Sequence, residues 1–211
     1  MVNEAGEIGA FPFKEQPGEE IARGVEFRVL QHNDGWVVKE GIHPQANTFE
    51  QLKQDKEDFE VFSNYLGPFL PETHHIRGHG SDGKPRNIVR QREIKGRPLA
   101  ELSDEEVFGN NEVKSQLGVF FEQCGRMWDE IGRVPDICGP EGDKIRGLNP
   151  RYARNILVEE GANNKVWLVD TAAHPLVFSK KAMLRYKPAL FVLRKMMGRF
   201  QRKLRTDEKN S

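Results

Sequence analysis

The chain has 211 residues, of which 37% are hydrophobic and 30% charged, and its formal net charge is zero. That length holds one domain with a sizeable core. The composition excludes a disordered chain and, with two cysteines, a disulfide scaffold.

No stretch reaches the roughly 20 apolar residues that a bilayer-spanning helix needs. Met1 to Ala10 lack the basic and apolar regions of a signal peptide. The expectation is a soluble, cytoplasmic protein with free thiols at Cys124 and Cys138. The neutral average hides an asymmetry: Lys180 to Arg205 hold ten basic residues and no acidic one, while residues 1–179 hold 21 basic and 30 acidic ones. A basic tail on an acidic body is expected to meet something anionic, the body itself included.

In chain order, residues 1–10 read as a loose terminus and Phe11 to Glu15 as a short strand, followed by a loop around Gly18. Val25 to Gln31 alternates and is rich in strand formers; Asp34-Gly35 is a hairpin signal, and Trp36 to Glu40 returns. Thr48 to Leu66 reads as a helix carrying Leu52, Phe59, Phe62 and Leu66 on one face, stopped by Gly67-Pro68. Strands are expected at Thr73 to Arg77 and Asn87 to Ile94. Beyond Lys95-Gly96-Arg97-Pro98 the pattern changes to a strong helix over Val113 to Ile131. That helix gathers Val113, Leu117, Phe120, Phe121, Cys124 and Trp128 on one side. A Pro/Gly-rich loop, a hairpin (Asn155 to Val158, Val166 to Val169) and a basic tail follow. This order predicts an α+β fold of two lobes rather than a doubly wound parallel sheet. The expected division is a small antiparallel-sheet lobe at about 11–95 and a minimal helical lobe at about 96–205, with 206–211 a polar tail.

Two motifs read as structural. Gly78-His79-Gly80-Ser81-Asp82-Gly83 spells GxGxxG, but Pro85 and a strand follow where a dinucleotide site needs a helix, so a hairpin connection is expected. His74, His75 and His79 lie close in sequence without a partner cysteine, and read as an exposed cluster rather than a zinc site.

Four features then line up: Lys39 ending the apolar strand Trp36-Val37-Val38; an acid-rich helix after it; Glu93-Ile94-Lys95-Gly96-Arg97-Pro98-Leu99 at a strand end; and Asn155-Ile156-Leu157-Val158 followed by Trp167-Leu168-Val169-Asp170. In this order and spacing the chain resembles the protein-kinase-like superfamily, nearest the small bacterial branch of aminoglycoside and lipopolysaccharide-sugar kinases, over residues 11–200. The resemblance implies ATP and magnesium as cofactors. It implies Lys39 on the α- and β-phosphates, Asp58 or, next, Glu57 orienting that lysine, and Glu93 and Ile94 at the adenine. Asn155 and Asp170 would be the magnesium ligands, a hard ion's oxygen donors.

The chain departs from the family in two places. The expected catalytic aspartate is missing from Ile145-Arg146-Gly147-Leu148-Asn149-Pro150: aligning on Leu148 and Pro150 puts Gly147 there, aligning on Asn155 puts Pro150 there, and an asparagine takes no proton at neutral pH. Asn149 and Asp143 are the candidates for that role, with Asp136 the other nearby acid. Gln16-Pro17-Gly18-Glu19-Glu20 sets two carboxylates where phosphates would lie. The functional expectation is a phosphotransferase of unknown substrate with an eroded site; the alternatives are a pseudokinase that works through a protein partner, and a membrane-surface or scaffold protein.

The tail carries an apolar seam: Met183, Tyr186, Leu190, Leu193, Met197, Phe200 and Leu204. Pro188 is expected to open its helix, running to Arg205. Docking of the seam on the body is one reading; residues 188–205 on an anionic membrane are the other. Nucleic acid ranks below both, for want of a motif.

Overall fold

The computed structural model describes residues 18–23, 27–32, 35–137, 149–161, 164–170, 173–175 and 180–206, with the backbone alone at 173–175, 180–191 and 206. The strand expected at Phe11 to Glu15, Asn33-Asp34, Cys138 and Asp143 lie outside these residues. The described residues fall into two compact units, one drawn from Met1–Glu57 and Pro71–Glu93, the other from Asp58–Leu70 and Ile94–Ser211. The fold is α+β, as its element order implies.

The first unit is built on one antiparallel sheet. Its strands are β1 (Glu20–Arg23), β2 (Phe27–His32), β3 (Trp36–Gly41), β4 (Thr73–His79) and β5 (Pro85–Arg92), in the order β1-β2-β3-β5-β4. Gly35 enters β3 at φ +79°, a conformation that suits glycine and confirms the turn read at this position. Register sets what each face carries. Lys39 lies opposite Val29 and Val89, and Val89 opposite His75, so these four share one face. Leu30, Val38 and Ile88 share the other and pack with Ile76 as a small core.

Helix α1 (Phe49–Leu66) follows β3 after a turn at Gln45–Asn47. Thr48 accepts from the Gln51 amide at 3.1 Å and starts the helix. Asn87, nearly fully buried in β5, donates to the carbonyls of Ala46 and Thr48 at 2.9 and 2.7 Å and fixes that start against the sheet. Gly67–Phe69 closes α1 as a single 3-10 turn.

The second unit holds β6 (Gly96–Pro98), α2 (Asp104–Phe108), α3 (Asn111–Ile131), β7 (Arg133–Pro135), β8 (Ile156–Glu159), β9 (Val166–Leu168), β10 (Ala173–Pro175) and α4 (Lys180–Thr206). Strands β6-β8-β9 form one small antiparallel sheet and β10-β7 a second. Ser103 and Glu106 form a reciprocal capping box at the start of α2, which holds the Glu106 carboxyl down at about 2, chiefly through the Ser103 amide. Asn110 caps α3 by accepting from Glu112 and Val113 amides, and Gly132 ends it at φ +64°.

Helix α3 supplies the centre of the core: Val113, Leu117, Phe120, Phe121, Cys124 and Met127 are buried, with Phe62, Leu66, Leu99, Val107, Val134, Ile137, Ile156 and Leu168 around them. Met127 faces inward, and Trp128, expected on that face, is only partly buried. The difference is one helical step of 100°, which rotates the buried stripe toward Met127 at the helix end.

Helix α4 differs from expectation. It runs unbroken from Lys180 to Thr206, so Pro188 sits inside it rather than at its first turn. An interior proline costs a helix about 3 kcal/mol. Packing along the seam outweighs that cost: Leu193, Met197, Phe200 and Leu204 are all buried, and the Phe200 ring meets Phe121 edge-on at 5.4 Å. At about 1.5–3 kcal/mol for each large buried apolar side chain, these four outweigh the proline. Three basic residues beside the seam pair with the unit's own acids: Arg194 with Asp129, Lys203 with Asp104 at 3.7 Å, and Arg205 with Glu122 at 2.8 Å. Deletion of residues 188–211 is therefore expected to abolish cooperative unfolding of this unit, followed by near-ultraviolet circular dichroism. A truncated chain that melts like the intact one would show that the seam is not core.

Candidate functional site

Three chain segments of the second unit converge at one place. Strand β7 ends at Pro135 and hands over to Asp136, flanked by the fully buried Val134 and Ile137. Asn155 precedes β8, flanked by the buried Ala153 and Ile156. Asp170 follows β9 two residues after the fully buried Leu168. In each segment a polar residue rides beside aliphatic anchors, so core packing fixes the backbone that presents it.

Hydrogen bonds join the segments. The Asn155 amide donates to the Ile137 carbonyl at 3.3 Å, and the Val169 amide donates to the Asn155 carbonyl at 3.0 Å. The Asn155 side chain donates from Nδ2 to the Asp136 carbonyl at 2.8 Å. That bond fixes the amide plane and turns Oδ1 away from the carbonyl. In the β7–β10 pair, Ala173 lies opposite Pro135, so Asp136 follows at the end of the ladder where Ala173 begins β10. Asp136 and Asp170 are both half-buried. Two carboxylates and one oriented amide oxygen are hard oxygen donors. Among the described residues no group of three or more His, Cys, Asp or Glu side chains is arranged to hold a metal ion. Magnesium held by one or two carboxylates and a nucleotide's phosphates does not require one.

Of the residues expected from the sequence, Asn155 and Asp170 are brought together here. Asp136 is the member that sequence reasoning passed over as a principal candidate. Its signal was present: an acid set between two residues that read as buried, four positions beyond the glycine that ends the long helix α3. Asn149 has a local task, accepting from the Arg151 amide at 3.1 Å to cap the turn Pro150–Tyr152. Asp143 lies outside the described residues.

The other expected residues are placed as follows. Asp58 pairs with Arg133 of β7, three positions before Asp136. Glu57 is exposed and pairs loosely with Lys53 at 3.8 Å. The Glu93 amide donates to the Gly35 carbonyl at 3.0 Å, and the two units divide between Glu93 and Ile94. Gly18 and Glu19 are not a phosphate loop. Gly18 donates to the Gln31 carbonyl, Gln31 donates back to Glu19, and Glu20 begins β1, where it pairs with Arg23. The sequence reads as a loop here because Glu20–Arg23 is short and has no buried face to pattern it.

The GxGxxG segment is a hairpin connection, as expected. Its amides serve the protein itself: Gly80 donates to Lys84, Gly83 to Gly80, Lys84 to Asp82, and Ser81 to the fully buried Glu40 carboxylate at 2.8 Å. None of these four is left to cradle a phosphate.

The three histidines do not form one exposed cluster. His74 and His79 are exposed, whereas His75 points to the opposite face of β4 from His74 and is half-buried on the Lys39 face. Burial, then the nearby Lys56, Lys39 and His74, push the His75 pKa down to about 4. The unfolded chain, with an ordinary histidine near 6.5, takes up that proton first. Stability contributed by neutral His75 is thus complete above about pH 6.5 and falls as pH drops toward 4. His75→Gln should flatten the denaturation midpoint over that window; an unchanged pH profile would contradict the placement.

No family model matches the chain, and no curated protein matches it. Among solved structures, it is similar to the GDP complex of a mutant aminoglycoside 2'-phosphotransferase-IIIa, over 92% of this chain and 82% of that one. The identity is 15% and the TM-score 0.43, a likeness too slight to carry a conclusion about this chain.

Proposed function

We propose that this chain is a kinase-like phosphotransferase that uses a nucleoside triphosphate with magnesium, and that Asp136, Asn155 and Asp170 form its reacting end. The observation that carries the reading is the joining of these three residues' segments, centred on the bond from Asn155 Nδ2 to the Asp136 carbonyl. The element order noted in the sequence adds support. Asp136 supplies the carboxylate whose absence near Asn149 had argued for a pseudokinase.

Phosphoryl transfer asks little covalent chemistry of a protein. Magnesium, when bound, neutralises charge on the phosphates and holds them in line. Asp170 and Asn155 Oδ1 are the residues that would hold it. The Asp136 carboxylate accepts the proton that an attacking hydroxyl gives up. Lys39 binds the phosphates and Glu93 with Ile94 the base, as the family resemblance implies.

The test compares the intact chain with Asp136→Asn, which keeps the shape and removes the basic oxygen. Slow magnesium-dependent ATP hydrolysis should fall by roughly 10²–10⁴-fold, the range for losing a general base, while nucleotide affinity stays within about threefold. An intact chain that neither binds nor hydrolyses ATP would defeat the reading.

A further inference from the structure

Asp136 and Asn155 are joined in space although they lie 19 positions apart in the chain. Bringing two positions 19 residues apart into register costs loop-closure entropy. Something must therefore fix the return. We infer that Arg151 is a positioning residue that staples the returning chain in register, so that Asn155 meets Asp136. The role proposed above for Asn155 is the basis of its functional consequence; the staple itself stands on geometry alone.

The Arg151 guanidinium is largely buried and uses all three of its nitrogens. Nε donates to Asp104 Oδ1 at 2.9 Å, Nη1 to the Leu99 carbonyl at 2.6 Å, and Nη2 to the Leu102 carbonyl. All three acceptors lie on the stretch running from Leu99 into the start of α2, whose Leu99 and Leu102 side chains belong to the core. A backbone bond from the Ala100 amide to the Ala153 carbonyl at 3.0 Å sits beside this fork. Within the returning chain, the Tyr152 amide donates to the Asn149 carbonyl and Ala153 to Pro150, closing one tight turn. Two residues beyond Ala153, Asn155 makes its bonds to Ile137 and Asp136.

The geometry suits arginine and no other side chain. A planar fork addresses two carbonyls and a carboxylate at once, whereas an ammonium is a point donor. The two carbonyls would otherwise be left half-buried without that donor. Lys203 also approaches Asp104, at 3.7 Å, which brings α4 to the same anchor.

Arg151→Met and Arg151→Lys separate the staple from the function. Hydrogen exchange at the Asn155 and Val169 amides reads the staple directly. In Arg151→Met both should exchange roughly tenfold faster, the scale of one lost hydrogen bond, with the amides of α3 and of the β3–β5 pair unchanged. Arg151→Lys should fall in between. Affinity for Mg·ADP should drop on the order of tenfold, as for loss of a residue that orients a ligand, while affinity for ADP in excess EDTA stays the same. Unchanged exchange at Asn155 and Val169 would overturn the inference. Faster exchange in a protein whose wild type shows no magnesium-dependent binding would uphold the staple and sink the phosphotransferase reading. If Arg151→Met fails to fold, Asp104→Asn weakens one prong and is read by the same two measurements. There, unchanged exchange likewise counts against the staple.

Discussion

Replacement of Asp170 by alanine is expected to abolish magnesium-dependent nucleotide binding. Asp170 leaves β9 at the residue after Val169, whose amide is bonded to Asn155, so its backbone position is set by the hairpin and survives the change. What is lost is one carboxylate of the oxygen set. A metal's bridging of protein and phosphate is worth several kcal/mol, and the affinity for Mg·ADP should fall on the order of 100-fold. Binding measured in EDTA should not change. Asp129→Ala removes an exposed acid that pairs with Arg194, and serves as the control for charge alone. Calorimetry showing equal Mg·ADP affinity for Asp170→Ala and wild type would exclude Asp170 as a ligand.

The largest effect on stability is expected from Phe120→Ala. Phe120 is fully buried on α3, with the Phe69 ring edge-on at 5.4 Å and Phe121 at 5.1 Å. Truncating a phenylalanine in such a position typically costs about 3–5 kcal/mol, because the cavity collapses only in part. Urea denaturation should report a loss in that range with little change in slope. A loss below about 1 kcal/mol would show that the ring is not in the core.

The fold was legible wherever a period repeats. The alternation in Val25 to Gln31 and its hairpin return at Trp36 to Glu40 gave two inner strands, β2 and β3. The three-and-four spacing of Leu193, Met197, Phe200 and Leu204 gave the seam of α4, all four of which are buried. Pro188 misled because its local rule favours a helix start, and tertiary packing overrode it. Strand β1 is short and fully exposed, with no alternation to read, so its residues read as part of a loop.

The site was legible in part for a related reason. Asn155 and Asp170 stand at the ends of two apolar runs that pair as a hairpin, a local relation that sequence can carry. Asp136 is tied to Asn155 by a hydrogen bond made across 19 positions of chain, and no period marks such a bond. Local spacing instead pointed to Asn149, which caps a turn beside the site. The basic residues of α4 posed the same difficulty. Their charge was plain, but their partners Asp104, Glu122 and Asp129 are distant in sequence and set by packing.

The most direct test of the proposed site is paramagnetic broadening by manganese added with ADP to the intact, isotopically labelled chain. The amides of Asp136, Asn155 and Asp170 are expected to broaden first, and those of Glu112 and Val113, at the opposite end of the 21-residue helix α3 from β7, to stay sharp. Broadening that begins at the start of α3, or that spares all three site amides at saturating nucleotide, would contradict the assignment of Asp136, Asn155 and Asp170 as the reacting end.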